Sequence, residues 1–199
     1  MSEINKHHWN ESYWSDRYKT GQIQWDTGSI TTPLKEYFDQ LTDKNIKILI
    51  PGCGNGYEPE YLWNNDFKNV FVVDLSKEPL ANLELRLPEF PNAQLLQGDF
   101  FDLEDTFDLI VEQTFFCSLN PSQRPSYASK MNRLLKPGGK LIGLLFDDEL
   151  FKDHPPFGGN KEEYLSYFKP FFKTKVFERS YNSIKPRRDR ELFINLEKG

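Results

Sequence analysis

The segment Ile46-Lys47-Ile48-Leu49-Ile50-Pro51-Gly52-Cys53-Gly54-Asn55-Gly56-Tyr57-Glu58 constrains the fold more than any other stretch of the chain. A short apolar strand there empties directly into three alternate glycines. Glycine has no Cβ, so it takes φ > 0 and lets a ligand approach the backbone, while the amides opening the next helix offer unpaired donors. Eighteen residues past Gly56, the apolar run Val70-Phe71-Val72-Val73 ends in Asp74. A carboxylate at that point can accept both hydroxyls of a ribose. Strand, glycine turn, helix, strand and acid therefore form a nucleoside-binding unit.

The spacing selects among nucleosides. Dinucleotide folds use G-x-G-x-x-G, whereas this turn reads G-x-G-x-G and carries Tyr57 where the third glycine of that pattern would allow pyrophosphate access. This favours S-adenosylmethionine, which has a ribose and an amino-acid tail but no phosphates.

With 199 residues the chain fits one α/β domain, here divided into an N-terminal aromatic lid or extension over residues 1–30 and a binding domain over 31–199. A net charge of −5 repels phosphate backbones, so the late cluster Lys185-Pro186-Arg187-Arg188-Asp189-Arg190 reads as a solvated turn and nucleic acid is not expected as a partner. Cys53 and Cys117 sit in apolar contexts without a CxxC or Cys/His cluster, which implies reduced thiols and no metal. The residues around His7 and His8 lack an apolar core of signal-peptide length, and no run reaches the roughly 18 apolar residues of a membrane span. A cytoplasmic protein is expected, away from membranes, as a monomer or weak homodimer acting on a small nucleophile.

Residues 9–19 read as a helix, and 31–41 as another with a threonine cap. Strands follow at 46–50, 70–74, 93–97, 107–111 and 140–146, separated by helices at about 58–65, 76–87 and 122–135. The last helix is expected to stop at Lys136-Pro137-Gly138-Gly139. A helix near 160–168 leads to strands near 175–181 and 191–197. The pattern predicts a Rossmann-like doubly wound α/β fold: a seven-stranded, mostly parallel sheet with helices on both faces and an antiparallel last strand.

Ligands of such sheets gather outside the carboxyl ends of the strands. The residues there are Gly52, Cys53 and Gly54 after the first strand, Asp74 after the second, Asp99 and Phe100 after the third, and Glu112, Gln113 and Thr114 after the fourth. Asp99 can accept from an adenine amino group, with the Phe100 ring beside the base. Glu112 closes a buried strand, so partial desolvation suits it to accept a proton; it can equally bind the ammonium of the ligand or order Asn120 and Arg124. Methyl transfer from a sulfonium needs alignment and a dry site more than acid–base help. Trp25 reads as a lid ring over a cation and Trp9 as packing; Trp14 and Tyr18, on one helical face, suit either core packing of the extension or the lid, while Cys117 reads as buried, His7 and His8 as solvated and His154 as a loop residue with no role.

Further motifs are Trp25-Asp26 with Thr32-Pro33-Leu34, Val73-Asp74-Leu75-Ser76, Gly98-Asp99-Phe100-Phe101, Thr114-Phe115-Phe116-Cys117-Ser118-Leu119-Asn120-Pro121 with Arg124-Pro125, Leu134-Leu135-Lys136-Pro137-Gly138-Gly139 and Pro155-Pro156-Phe157. Together with the glycine turn, over about residues 9–180, they resemble the thiopurine S-methyltransferase family of class I S-adenosylmethionine-dependent methyltransferases, within it the thiol and halide branch. The resemblance implies S-adenosylmethionine as cofactor, leaving as S-adenosylhomocysteine. It implies cofactor contacts at Trp14, Tyr18, Trp25, Gly52, Cys53, Gly54, Asp74, Leu75, Asp99, Phe100 and Glu112, with Glu112 also the catalytic candidate, and acceptor contacts at Gln113, Phe116 and Phe157. Glu112-Gln113 replaces the Asp-Tyr of the plant halide and thiol enzymes, which removes a hydroxyl from the acceptor side, and Tyr18 stands where they tend to have Trp. Two alternatives stay open at this point: a nicotinamide-dependent oxidoreductase, and a module that binds S-adenosylmethionine without catalysis.

Overall fold

A computed structural model describes residues 9–199. His7 and His8, and the first eight residues of the expected lid, lie outside the described residues. Helix α1 spans Glu11–Lys19 and α2 Thr32–Phe38; β1 (Ile48–Pro51), α3 (Tyr57–Asn64), β2 (Val70–Asp74), α4 (Lys77–Arg86), β3 (Leu95–Gln97), β4 (Phe107–Gln113), α5 (Arg124–Leu134) and β5 (Leu135–Phe146) follow. Helix α6 (Lys161–Phe168) precedes β6 (Phe172–Arg179) and β7 (Glu191–Lys198). The strand order is β3-β2-β1-β4-β5-β7-β6, and only β7 runs antiparallel to its neighbours. This is the expected doubly wound sheet.

β1 and the centre of β4 are buried along their length because both sheet faces are covered. On one face Leu34, Phe38, Leu62, Leu80 and Leu83 of α2, α3 and α4 pack on Ile48, Ile50, Val72 and Ile142. On the other, Tyr127, Met131, Leu134, Tyr164 and Phe168 of α5 and α6 pack on Leu49, Ile110, Leu141 and Ile194. Strand order reverses between β1 and β4, so the crevice above their carboxyl ends is the place for a ligand.

Local details differ from the expectations. Lys136-Pro137-Gly138-Gly139 does not lie between helix and strand but inside β5, as a bulge between the pairs Phe107–Leu135 and Leu109–Lys140. Gly138 takes φ +74 there, and a Cβ on Gly139 would lie 2.9 Å from the Lys136 carbonyl. Thr31 stands at the N-cap of α2 without a capping hydrogen bond, its hydroxyl unpaired. The C-terminal basic cluster is not fully solvated: Arg187 is 6% exposed. Among the described residues, no helix is long and apolar enough to cross a membrane.

Candidate active site

Above the reversal point lies a cavity of about 830 Å³ lined by residues from both walls of the crevice and from the N-terminal segment. That is toward the upper end of the range for small-ligand sites, so it has room for more than one small molecule. Its floor is built by strand ends. Gly52, Gly54 and Gly56 take φ of +58, +56 and +74, which side chains rarely adopt. A Cβ on Gly52 would lie 2.4 Å from the Phe115 ring, and one on Gly56 would lie 2.9 Å from Leu83. The turn is thus a bare-backbone cradle. Beside it, Asp74 Oδ1 accepts from the Ser76 amide at 2.9 Å and Oδ2 from the Gly54 amide at 3.3 Å. Burial pushes its carboxyl up to about 6 despite these two donors.

Thr114, just past β4, has φ +57, an uncommon conformation for a β-branched residue. It turns the chain so that Phe115 reaches over Gly52, and the amides of Phe115 and Phe116 fold back onto Glu112 Oε1 at 2.8 and 2.9 Å. Glu112 Oε2 accepts from the Tyr127 hydroxyl. Glu112 is 0% exposed and burial pushes its carboxyl up to about 7, yet it is absent from the cavity wall. Glu112, the expected proton acceptor, is a buried post under the floor whose carboxylate meets three internal donors. Nor does it order Arg124, which instead donates to Glu163 and to the Phe157 and Gly158 carbonyls.

The other expected residues divide in the same way. Trp14, Tyr18, Trp25, Gly52, Cys53, Gly54, Asp74, Leu75, Asp99, Phe100 and Gln113 all line the cavity. Phe116 and Phe157, each 2% exposed, do not; they pack behind the wall, Phe116 on Tyr127 and Tyr164, Phe157 on Trp9. Both side chains, expected as acceptor contacts, pack in the core. Asp99 caps the 3-10 turn that follows it, Oδ1 accepting from the Phe101 amide at 2.8 Å. Gln113 Oε1 is buried without a partner, an acceptor left for a ligand donor. Cys53 and Cys117 are both buried free thiols; burial pushes Cys53 well up and Cys117 to about 12, so neither is a nucleophile.

The cover comes from the N-terminal segment. Trp14 and Tyr18 share a face of α1, and both meet Trp25 edge-on at 5.6 and 5.8 Å. Ser15 and Ser76 share a hydrogen bond of 2.9 Å, which joins α1 to the residue capping α4. Asp26 accepts from Tyr57 at 3.1 Å and from Asn55, fastening the cover to the glycine turn. Arg187, from the loop between β6 and β7, donates to the Trp25 carbonyl at 2.7 Å and to Glu191 at 3.3 Å.

Sequence reasoning missed Arg187 and Glu58, both of which line the cavity. Arg187 was hidden in a basic run, and Glu58 in the polar start of a helix. The signal for Glu58 was present: it lies two positions after Gly56, facing the same crevice.

A bare glycine cradle, an acid closing β2 and a doubly wound sheet with an antiparallel last strand define a class I S-adenosylmethionine-dependent methyltransferase. Residues 9–197 match the family model described as thiopurine S-methyltransferase. The chain belongs to the thiopurine S-methyltransferase family. It is 35% identical over 156 residues to "Probable thiol methyltransferase 2" of Arabidopsis thaliana, covering 76% of this chain and 69% of that one. It is 28% identical over 187 residues to "Thiocyanate methyltransferase 1" of Brassica oleracea, with 91% and 82% coverage. Among solved structures it resembles a Burkholderia thailandensis 1,6-didemethyltoxoflavin-N1-methyltransferase with bound S-adenosylhomocysteine, at TM-score 0.74 and 18% identity over 94% of this chain and 86% of that one. Both open alternatives, the oxidoreductase and the non-catalytic module, give way to an S-adenosylmethionine-dependent S-methyltransferase.

Proposed function

We propose that the chain moves the methyl group of S-adenosylmethionine to a small sulfur acceptor, a thiol first and thiocyanate or halide after it, by in-line displacement. The observation that carries this reading is the cradle: two positive-φ glycines, Gly52 and Gly54, and the Asp74 carboxylate share one cavity that keeps room for an acceptor. When bound, the cofactor supplies an electrophilic methyl on a positively charged sulfur. Asp74 accepts from the ribose hydroxyls, and Asp99 and Phe100 hold the adenine. The bare backbone at Gly52, Cys53 and Gly54 carries the amino-acid tail, with Leu75 on the adjoining wall. The unpaired Gln113 Oε1 takes a donor from the ligands. Trp14, Tyr18 and Trp25 act as a lid, excluding water and presenting ring faces to the cation.

Glu112 fixes the floor and moves no proton. Two buried free thiols suit a reducing compartment, which supports a cytoplasmic enzyme, and the net charge of −5 disfavours nucleic acid. A monomer or weak homodimer fits a site built from one chain. Incubation with methyl-labelled S-adenosylmethionine and a panel of thiols, sulfide, thiocyanate and iodide tests the reading. Label is expected in the thiols above the other acceptors; label in none of them contradicts it.

A further inference from the structure

The roles given above leave one buried carboxyl unused. Glu58, in the first turn of α3, is 5% exposed and lines the cavity. Glu112 is spent on three donors, but the Glu58 carboxylate meets only its own backbone amide, and no other described residue donates to it. The groups facing it are Arg187 from the β6–β7 loop, Asp26 from the cover and the Cys53 thiol from the glycine turn. Arg187 is engaged by the Trp25 carbonyl and Glu191, and Asp26 by Asn55 and Tyr57. Neither forms an ion pair or hydrogen bond with Glu58. Burial pushes the carboxyl up to about 7, partly offset by the Arg187 charge.

Other groups on the wall are less suited to take a proton. Asp74 is held by two amides. His154 lies tilted against Phe151 at 4.1 Å, meets the Pro155 carbonyl at 2.9 Å through Nδ1 and stays partly exposed. Both cysteine thiols are kept neutral by burial.

Building on the thiol-methylation reading, we propose that Glu58 is the proton acceptor that lets this site use neutral thiols. The S–H proton of the acceptor passes to a Glu58 carboxylate oxygen. The freed sulfur lone pair forms the bond to the methyl carbon as the methyl–sulfonium bond breaks, and that electron pair stays on the departing thioether sulfur. Glu58 then returns the proton to water. An acceptor that arrives ionised has no use for this step. A thiol of ordinary pKa, about 8.5, is mostly protonated at pH 7 and does.

The test compares two thiols on the wild type and on Glu58→Gln: an alkyl thiol, neutral at pH 7, and 4-nitrothiophenol, already ionised there. In the wild type, the alkyl-thiol rate is expected to carry an acidic limb near pH 7 that 4-nitrothiophenol lacks; a limb due to Asp74 would appear with both. In Glu58→Gln the ratio of alkyl to aryl turnover should fall about 10²-fold, with S-adenosylhomocysteine binding retained by calorimetry. A readout independent of turnover is side-chain ¹³C NMR of the ligand-free protein, where a carboxyl titrating near pH 7 should vanish in Glu58→Gln. Equal loss with both thiols overturns the proposal, as does a limb that survives in Glu58→Gln but vanishes in His154→Gln. If Glu58→Gln does not fold, the wild-type comparison decides alone, since an alkyl profile that follows only the thiol's own ionisation contradicts it. Wild type that methylates neither thiol refutes the sulfur-acceptor reading itself, a distinct result.

Discussion

The floor and the cover of the cavity are held by different kinds of bond. The floor continues the sheet: Gly52 donates to Val73 at 2.8 Å, and the β4 turn is pinned by two amides and a hydroxyl on a fully buried Glu112. The cover is tied on by a few side-chain bonds at Ser15, Asp26 and Arg187, mostly at partly buried positions. Buried bonds cost most when one partner is removed, because the other is left desolvated. Damage to the floor should therefore read out as lost stability, and damage to the cover as lost affinity.

The sharpest way to break that contrast is Glu112→Ala. It strands the Phe115 and Phe116 amides and the Tyr127 hydroxyl, and should cost about 3 kcal/mol or more of unfolding free energy in urea titrations. Glu112→Gln keeps an acceptor and should stay folded and active; a folded but inactive Glu112→Gln would restore it as a base. Gly52→Ala comes next. Its methyl must displace the Phe115 ring and its backbone must hold a left-handed conformation, costing about 1–2 kcal/mol and weakening S-adenosylhomocysteine binding at least tenfold by calorimetry. Asp26→Ala should act on the cover alone: binding weakens several-fold while stability changes by less than about 1.5 kcal/mol.

A further effect is a pH trend. Burial raises Glu58 and Glu112 to about 7 and Asp74 to about 6 in the folded chain, above their unfolded values. The folded state binds more of these protons, so their cost is absent below about pH 4 and grows until about pH 7. The urea midpoint should fall between pH 5 and pH 8, and fall less in Glu58→Gln.

The floor was legible in the sequence because each part has a local cause. Apolar runs mark strands, glycines mark the positive-φ turn, and Asp74 closes the second strand, so the cavity-lining residues at the ends of β1, β2 and β3 emerge from spacing alone. What was not legible depends on direction. Glu112 and Gln113 are neighbours on one strand, and period-2 alternation sends one under the floor and the other into the cavity. The motif around Phe116 and the Pro-Pro-Phe loop marks the family without saying which rings face inward; both phenylalanines turned out to be core. Arg187 is 162 residues from its partner Trp25. No local pattern can reveal such a pairing.

The central claim is that Asp74, beside the glycine cradle, grips the cofactor sugar. Titration of S-adenosylhomocysteine into wild type and Asp74→Ala by calorimetry tests it directly. The account predicts a dissociation constant raised about 10²-fold, the loss of two charge-assisted hydrogen bonds. An unchanged constant in a folded Asp74→Ala would contradict it.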